Sequence, residues 1–212
     1  MTLTLLLRRL RLNGREFISS KDLQGHCKEF DVSYETAVRY FISRGHLVRI
    51  FRGVFYLRSP EEMELGRRRY NHLQLVANGL RLKHVENWYY GLNSALKLNN
   101  MTHEHFPTEE VLNDRIFRQN PIAVDGYKFR FRKIKTSLFG FGVIEDESGL
   151  RYSDPEKTVL DFIYIWRYNG IPEEKIILDV SEWVENLSPD KIGEYTVHYP
   201  KAAEKTVEKV LQ

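Results

Sequence analysis

A single cysteine among 212 residues excludes an internal disulfide and a thiolate cage for zinc, since each needs a second sulfur. Cys27 falls where a helix would turn it inward beside Leu23 and Phe30, as inert packing. Long apolar runs are also missing. Leu3 to Leu7 breaks at Arg8 and Arg9, with no basic region before it and no small-residue cleavage site. Neither a secretory signal nor a membrane span is expected, and the protein is expected to stay in the cytoplasm. There is no Gly-rich phosphate loop, no Gly-x-Ser-x-Gly elbow and no Cys-x-x-Cys pair, so the common marks of nucleotide-binding, hydrolase and zinc proteins are absent. No cofactor is expected.

What is present is ample core material: 42% apolar and 13% aromatic residues, enough to rule out a disordered chain. The net charge of +3 hides a division. Residues 1–59 hold eleven Lys+Arg against five Asp+Glu, a net of +6, and the remaining 153 residues hold 21 against 24, a net of −3. A basic module joined to a slightly acidic body suits a phosphate-binding unit followed by something else. Two domains are expected, 1–59 and 60–212, in an α+β chain.

The first domain reads as a winged helix-turn-helix. Leu3, Leu6, Leu7 and Leu10 share one face of a short helix that Asn13-Gly14 stops. A short strand at Glu16-Phe17-Ile18 precedes Ser19, which can cap a second helix with Asp22 in its first turn. Ser33 caps a third, Tyr34 to Arg44, closed by Gly45. Val38, Phe41 and Ile42 face inward there, which leaves Tyr34, Glu35, Arg39, Ser43 and Tyr40 outside. From His46 to Leu57 the branched and aromatic content predicts two strands joined at Arg52-Gly53, a wing. A helix of this kind fits the major groove of double-stranded DNA, and arginines around it neutralise phosphates. The candidate DNA-binding residues are Ser33, Tyr34, Thr36, Arg39, Tyr40 and Arg44 on the third helix and its caps, with Arg49 and Arg52 on the wing. Glu35 could accept from cytosine or repel backbone. Protein docking is the competing use of such a module.

In the second domain, Ser59-Pro60-Glu61-Glu62 starts a helix predicted to run toward Gly79 past Arg67, Arg68 and Arg69. Another helix is predicted from Glu86 to Leu98, with Trp88, Tyr89, Leu92, Ala95 and Leu96 on its apolar side. Period-two stretches follow at Glu110 to Leu112, Pro121 to Val124 and beyond Asp125-Gly126, and these predict an antiparallel sheet covered by helices. In the last stretch Tyr127, Phe129 and Phe131 alternate with Lys128, Arg130 and Arg132. That cationic face suits nucleic acid, an acidic partner or plain solvent. A kinked strand is expected through Phe139, Phe141, Val143 and Ile144, and a turn at Asp146 to Gly149. Ser153 is expected to cap a helix to Trp166, followed by helices at Leu178 to Leu187 and Pro200 to Leu211.

Little chemistry shows. His103-Glu104-His105 lacks a third ligand, and no metal site is expected. Glu145, Asp146, Glu147, Asp154 and Glu156 beside Lys157 keep open a winged-helix-targeted, Mg²⁺-dependent nuclease. The leading expectation is not an enzyme.

Three blocks resemble the AbiEi-type winged-helix antitoxins of type IV toxin–antitoxin systems. Arg44-Gly45-His46-Leu47-Val48-Arg49-Ile50-Phe51-Arg52-Gly53-Val54-Phe55 is similar to the family's rGxlxrixrGvY pattern. Tyr89-Tyr90-Gly91-Leu92-Asn93-Ser94-Ala95-Leu96 resembles its helix ending in Ser-Ala-Leu. Ser153-Asp154-Pro155-Glu156-Lys157-Thr158-Val159-Leu160-Asp161 resembles its dpERTlLD block, with lysine at 157 where arginine is usual. Lys97-Leu98-Asn99-Asn100 replaces a histidine-containing run. The resemblance implies a transcriptional autorepressor acting on its own promoter, with antitoxicity in the C-terminal domain against a nucleotidyltransferase-like toxin. A homodimer reading two half-sites fits such a repressor, as do two DNA-contacting domains in one chain.

Overall fold

Leu6, Leu7 and Leu10 leave water together on one side of α1 (Thr2–Leu12), against the inward faces of the next two helices. The computed structural model describes residues 2–185 and 187–211. After α1 come β1 (Phe17–Ser19), α2 (Ser20–Glu29), α3 (Tyr34–Ser43), β2 (Leu47–Phe51) and β3 (Val54–Leu57). Both helix starts are capped as their sequences suggest: the Ser19 hydroxyl accepts from the Asp22 N–H at 3.1 Å and that of Ser33 from the Thr36 N–H at 3.4 Å. Each cap satisfies one of the N–H groups that a helix start leaves unpaired. The three strands form an antiparallel sheet in the order β1-β3-β2. Leu23, Cys27, Ala37, Val38, Phe41, Leu47, Phe55 and Leu57 complete the core between helices and sheet. Ile42, expected inside, is half-buried, and Ala37 takes the inward place beside Val38.

By contact the chain divides into two compact units, Met1–Glu86 with Ala123–Tyr127, and Asn87–Ile122 with Lys128–Gln212. The first unit therefore extends past the boundary expected at residue 59. The long helix predicted from Pro60 toward Gly79 is two helices, α4 (Pro60–Leu65) and α5 (His72–Leu82). Gly66 ends α4 in the left-handed conformation, and Asn71 with Gln74 starts α5 through a reciprocal pair of side-chain-to-backbone bonds. That second capping box is the signal the apolar spacing hid. Leu73, Leu75, Val76, Ala77 and Leu80 of α5 are buried, and α5 packs on all three strands of the small sheet. A Cβ at Gly79 would stand 2.7 Å from Ile50, so the helix lies directly against β2.

The second unit holds β4 (Trp88–Tyr90), α6 (Leu92–Leu98), β5 (Thr108–Asn113), most of β7 (Tyr127–Lys133), a 3-10 turn (Thr136–Phe139), β8 (Val143–Glu145) and β9 (Arg151–Ser153). Four helices follow: α7 (Pro155–Tyr168), α8 (Glu173–Val184), α9 (Pro189–Thr196) and α10 (Lys201–Val210). With β6 (Ile122–Val124) the strands form a sheet in the order β6-β7-β5-β4-β9-β8. The expected antiparallel sheet is mixed: β4–β5 and β8–β9 run antiparallel, but β4–β9 and β5–β7 run parallel. Alternation along one strand reports which side is buried and carries no record of its neighbour's direction. Trp88, Tyr89 and Tyr90 are a strand, not the start of the helix predicted from Glu86. All three are 2% exposed or less, and a strand buried on both faces shows no period of two. The expected Phe139–Ile144 strand keeps only its end, as β8. Asp154, not Ser153, caps α7, accepting from the Lys157 N–H at 2.8 Å, and α9 is an element the sequence reading did not separate. The fold is mixed α+β, and no helix among the described residues is long and apolar enough to cross a membrane.

Candidate nucleic-acid interface

Helix spacing places Arg39 and Tyr40 on the side of α3 away from Ala37, Val38 and Phe41, and both are exposed. Tyr34, Arg39 and Arg49 meet along one shallow groove between α3 and β2, together with Glu35, Val38 and Ile42. Thus a residue of the hairpin comes to the same hollow as two of the helix. Arg44 follows α3 as its C-cap, its guanidinium 5.8 Å from the centre of the Tyr40 ring. Arg49 lies 5.7 Å from the Phe55 ring. Arg52 is exposed in the turn between β2 and β3. None of Arg39, Arg44, Arg49 or Arg52 makes an ion pair among the described residues.

Ser33 and Thr36 stand exposed at the N-terminal turn of α3. The Ser33 hydroxyl donates to Glu35 at 3.1 Å while accepting from Thr36, so capping already occupies it. Burial, against the opposing pull of Arg49, raises the Tyr34 hydroxyl above its ordinary value; it stays protonated at neutral pH and can donate. Chemically the surface offers four guanidinium groups, a phenolic donor and a second ring at Tyr40. These bind anions and pack against sugar or base. Glu35 is the one acid in the groove.

Several arginines elsewhere are paired. Arg69 bonds Glu16 at 2.5 Å, Arg58 lies 3.7 Å from Asp125, and Arg68 bonds the same aspartate. The cationic face expected on β7 is partly neutralised. Glu110, on the parallel neighbour β5, receives Arg132 Nε at 2.8 Å and lies 3.8 Å from Arg130. Lys128 alone of the three is exposed. Tyr127, expected inside with Phe129 and Phe131, is 48% exposed and stacks on His72 with ring centres 3.7 Å apart. One cluster went unforeseen: Arg11, Arg15, Arg58 and Arg69 surround a hollow that also includes Glu16. They come from three separate stretches of chain, and no local spacing announces the cluster.

The Ser153–Asp161 block builds a buried polar centre. The Lys157 ammonium lies 3.3 Å from Asp161 and 3.1 Å from the Tyr199 hydroxyl, under the rings of Phe141 and Tyr89 at 4.5 and 4.9 Å. Asp161 accepts from Tyr199 at 2.7 Å and Tyr89 at 2.8 Å. Burial drives Asp161 up and Lys157 down, with each opposing the shift in the other. Gly142, at a φ of +60°, has no room for a side chain, since a Cβ would stand 2.8 Å from Lys157 Cβ. Both charged side chains are sealed from solvent and out of reach of a solute. Of the acids weighed for a nuclease, Asp154 and Glu156 come together on the Lys191 ammonium, each at 2.8 Å, while Asp146 binds backbone N–H groups of its own turn. Among the described residues no group of three or more His, Cys, Asp and Glu side chains is placed to hold a metal, and His103 and His105 lie exposed outside any helix or strand.

No family model matches the sequence, and no curated protein matches it. Among solved structures the chain is similar to the RV2827C protein from Mycobacterium tuberculosis, with a TM-score of 0.59, 13% identity, and coverage of 97% of this chain and 74% of that one. At that identity the likeness is one of fold.

Proposed function

We propose that this protein is a winged-helix, double-stranded-DNA-binding transcriptional autorepressor and antitoxin of the AbiEi type. The observation that carries the reading is the set of unpaired arginines, Arg39, Arg44, Arg49 and Arg52, displayed by α3 and the β2–β3 hairpin. A guanidinium held free of carboxylates keeps its full charge for phosphate. The element order α1-β1-α2-α3-β2-β3 with strand order β1-β3-β2 supports a winged helix, in which α3 enters the major groove and the hairpin follows the backbone. Tyr34 and Thr36, at the start of α3, are the candidates to reach base edges, since the first turns of a recognition helix do so. Arg39, Arg44, Arg49 and Arg52 contact phosphates. The second unit acts without catalysis and carries the antitoxin role toward a nucleotidyltransferase-like toxin; its most family-like block, Ser153–Asp161, supports its rigid centre. The protein works in the cytoplasm, and a homodimer matches a two-fold operator. Gel shifts with the DNA upstream of its own coding sequence test the proposal. A complex at physiological salt about 10³-fold tighter than with unrelated duplex is expected. No complex even at low salt removes the DNA reading, and equal binding to both duplexes removes autorepression.

A further inference from the structure

Beyond the α3–β2 surface, the second unit carries a separate groove of about 590 Å³ between the end of β7, the 3-10 turn and the C-terminal end of α7. Phe117 and Tyr168 line it and are 70% and 84% exposed. Large aromatics left this open point to a binding function. Lys133 and Lys135 line it as well, both exposed and neither in an ion pair among the described residues. Arg132 is committed to Glu110. Asp114 completes the set: one carboxylate oxygen accepts from Asn87 at 2.7 Å, and the other is buried with no hydrogen-bond partner. A buried acceptor without a donor is costly until something supplies one.

We propose that this groove binds single-stranded nucleic acid. The rings of Tyr168 and Phe117 offer the stacking faces that unpaired bases need, and Lys133 and Lys135 offer phosphate contacts beside them. The unpaired Asp114 oxygen suits an exocyclic amine, such as N4 of cytosine. Carbonyls at the end of α7 make that side unfavourable for phosphate and favourable for amino groups, which places the backbone over the lysines and the bases toward Tyr168. An acidic peptide would satisfy the lysines but would bring further carboxylates beside Asp114, where like charges repel.

Anisotropy titrations of the full chain with labelled oligo-dC and oligo-dT of about eight nucleotides test this. Tighter binding of oligo-dC is expected. Tyr168→Ala should weaken it about five- to a hundredfold, and Lys133→Ala/Lys135→Ala should weaken both oligonucleotides, with duplex affinity unchanged in both variants. Arg39→Ala/Arg49→Ala should do the reverse, so this groove and the duplex surface stand or fall separately. Unchanged single-strand binding in the Tyr168 and lysine variants overturns the proposal, as does its loss in Arg39→Ala/Arg49→Ala. Displacement of oligo-dC by polyglutamate as effective as by unlabelled oligo-dC overturns it in favour of an acidic partner. Equal affinity for oligo-dC and oligo-dT overturns the role given to Asp114.

Discussion

Two kinds of charged residue divide this protein. Lys157 and Asp161 are sealed together, and their pairing offsets only part of what burial costs each of them. Removing one partner is then far worse than removing neither: Asp161→Asn leaves a single acceptor oxygen where Tyr89 and Tyr199 donate to two, and it strands the ammonium. A loss of about 3–5 kcal/mol is expected, read as a fall in the urea midpoint; a change under about 1 kcal/mol would show that the pair is not closed to water. Glu62 is a milder case. Burial opposes its ionisation, but hydrogen bonds from the Arg69 N–H, the Tyr56 hydroxyl and the Ser59 N–H hold it below its ordinary value of 4.5. The folded state therefore binds fewer protons than the unfolded chain just below pH 4.5, and this stability is lost as pH falls through the folded value. Glu62→Gln should be less stable than the parent at pH 7, with the gap narrowing below pH 4.5. A gap that stays constant with pH contradicts the assignment.

At the scale of elements, caps decide where helices begin and also what their starts can bind. Ser33→Ala removes the bond to the Thr36 N–H and should cost about 1 kcal/mol, with a small effect on duplex affinity because its hydroxyl is already engaged. Ser33→Asp keeps a good cap and suits the helix dipole, yet places a second acid beside Glu35. Stability near the parent's with weaker duplex binding is expected; unchanged binding would move the DNA contact away from this turn. Capping is also where the sequence was most readable. Ser19, Ser33 and Gly45 bound their elements as their residue types suggest, and the exposed arginines of α3 follow from helix spacing alone. The reading failed where long-range packing decided: Trp88–Tyr90 enters the sheet buried on both faces, Gly66 and Asn71 split one apparent helix, and the parallel pairs of β4 and β5 leave no trace in either strand. The site divides in the same way. Outward positions on a helix were legible, whereas the capture of Arg130 and Arg132 by Glu110 depends on which strand β7 lies beside.

For the whole molecule, charge is the organising fact. The excess of +6 in residues 1–59 against −3 in the rest lies in the stretch of chain that also forms α3 and the hairpin, and phosphate contact makes affinity fall with salt. The slope of log affinity against log salt counts those contacts. The most direct measurement is that slope for a duplex, starting from about 50 mM salt, in the parent and in Arg39→Ala/Arg49→Ala. The account predicts weaker binding in the variant to every duplex and a slope shallower by about two, one for each arginine lost. Equal slopes and equal affinities would place the phosphate contacts somewhere other than the α3–β2 surface.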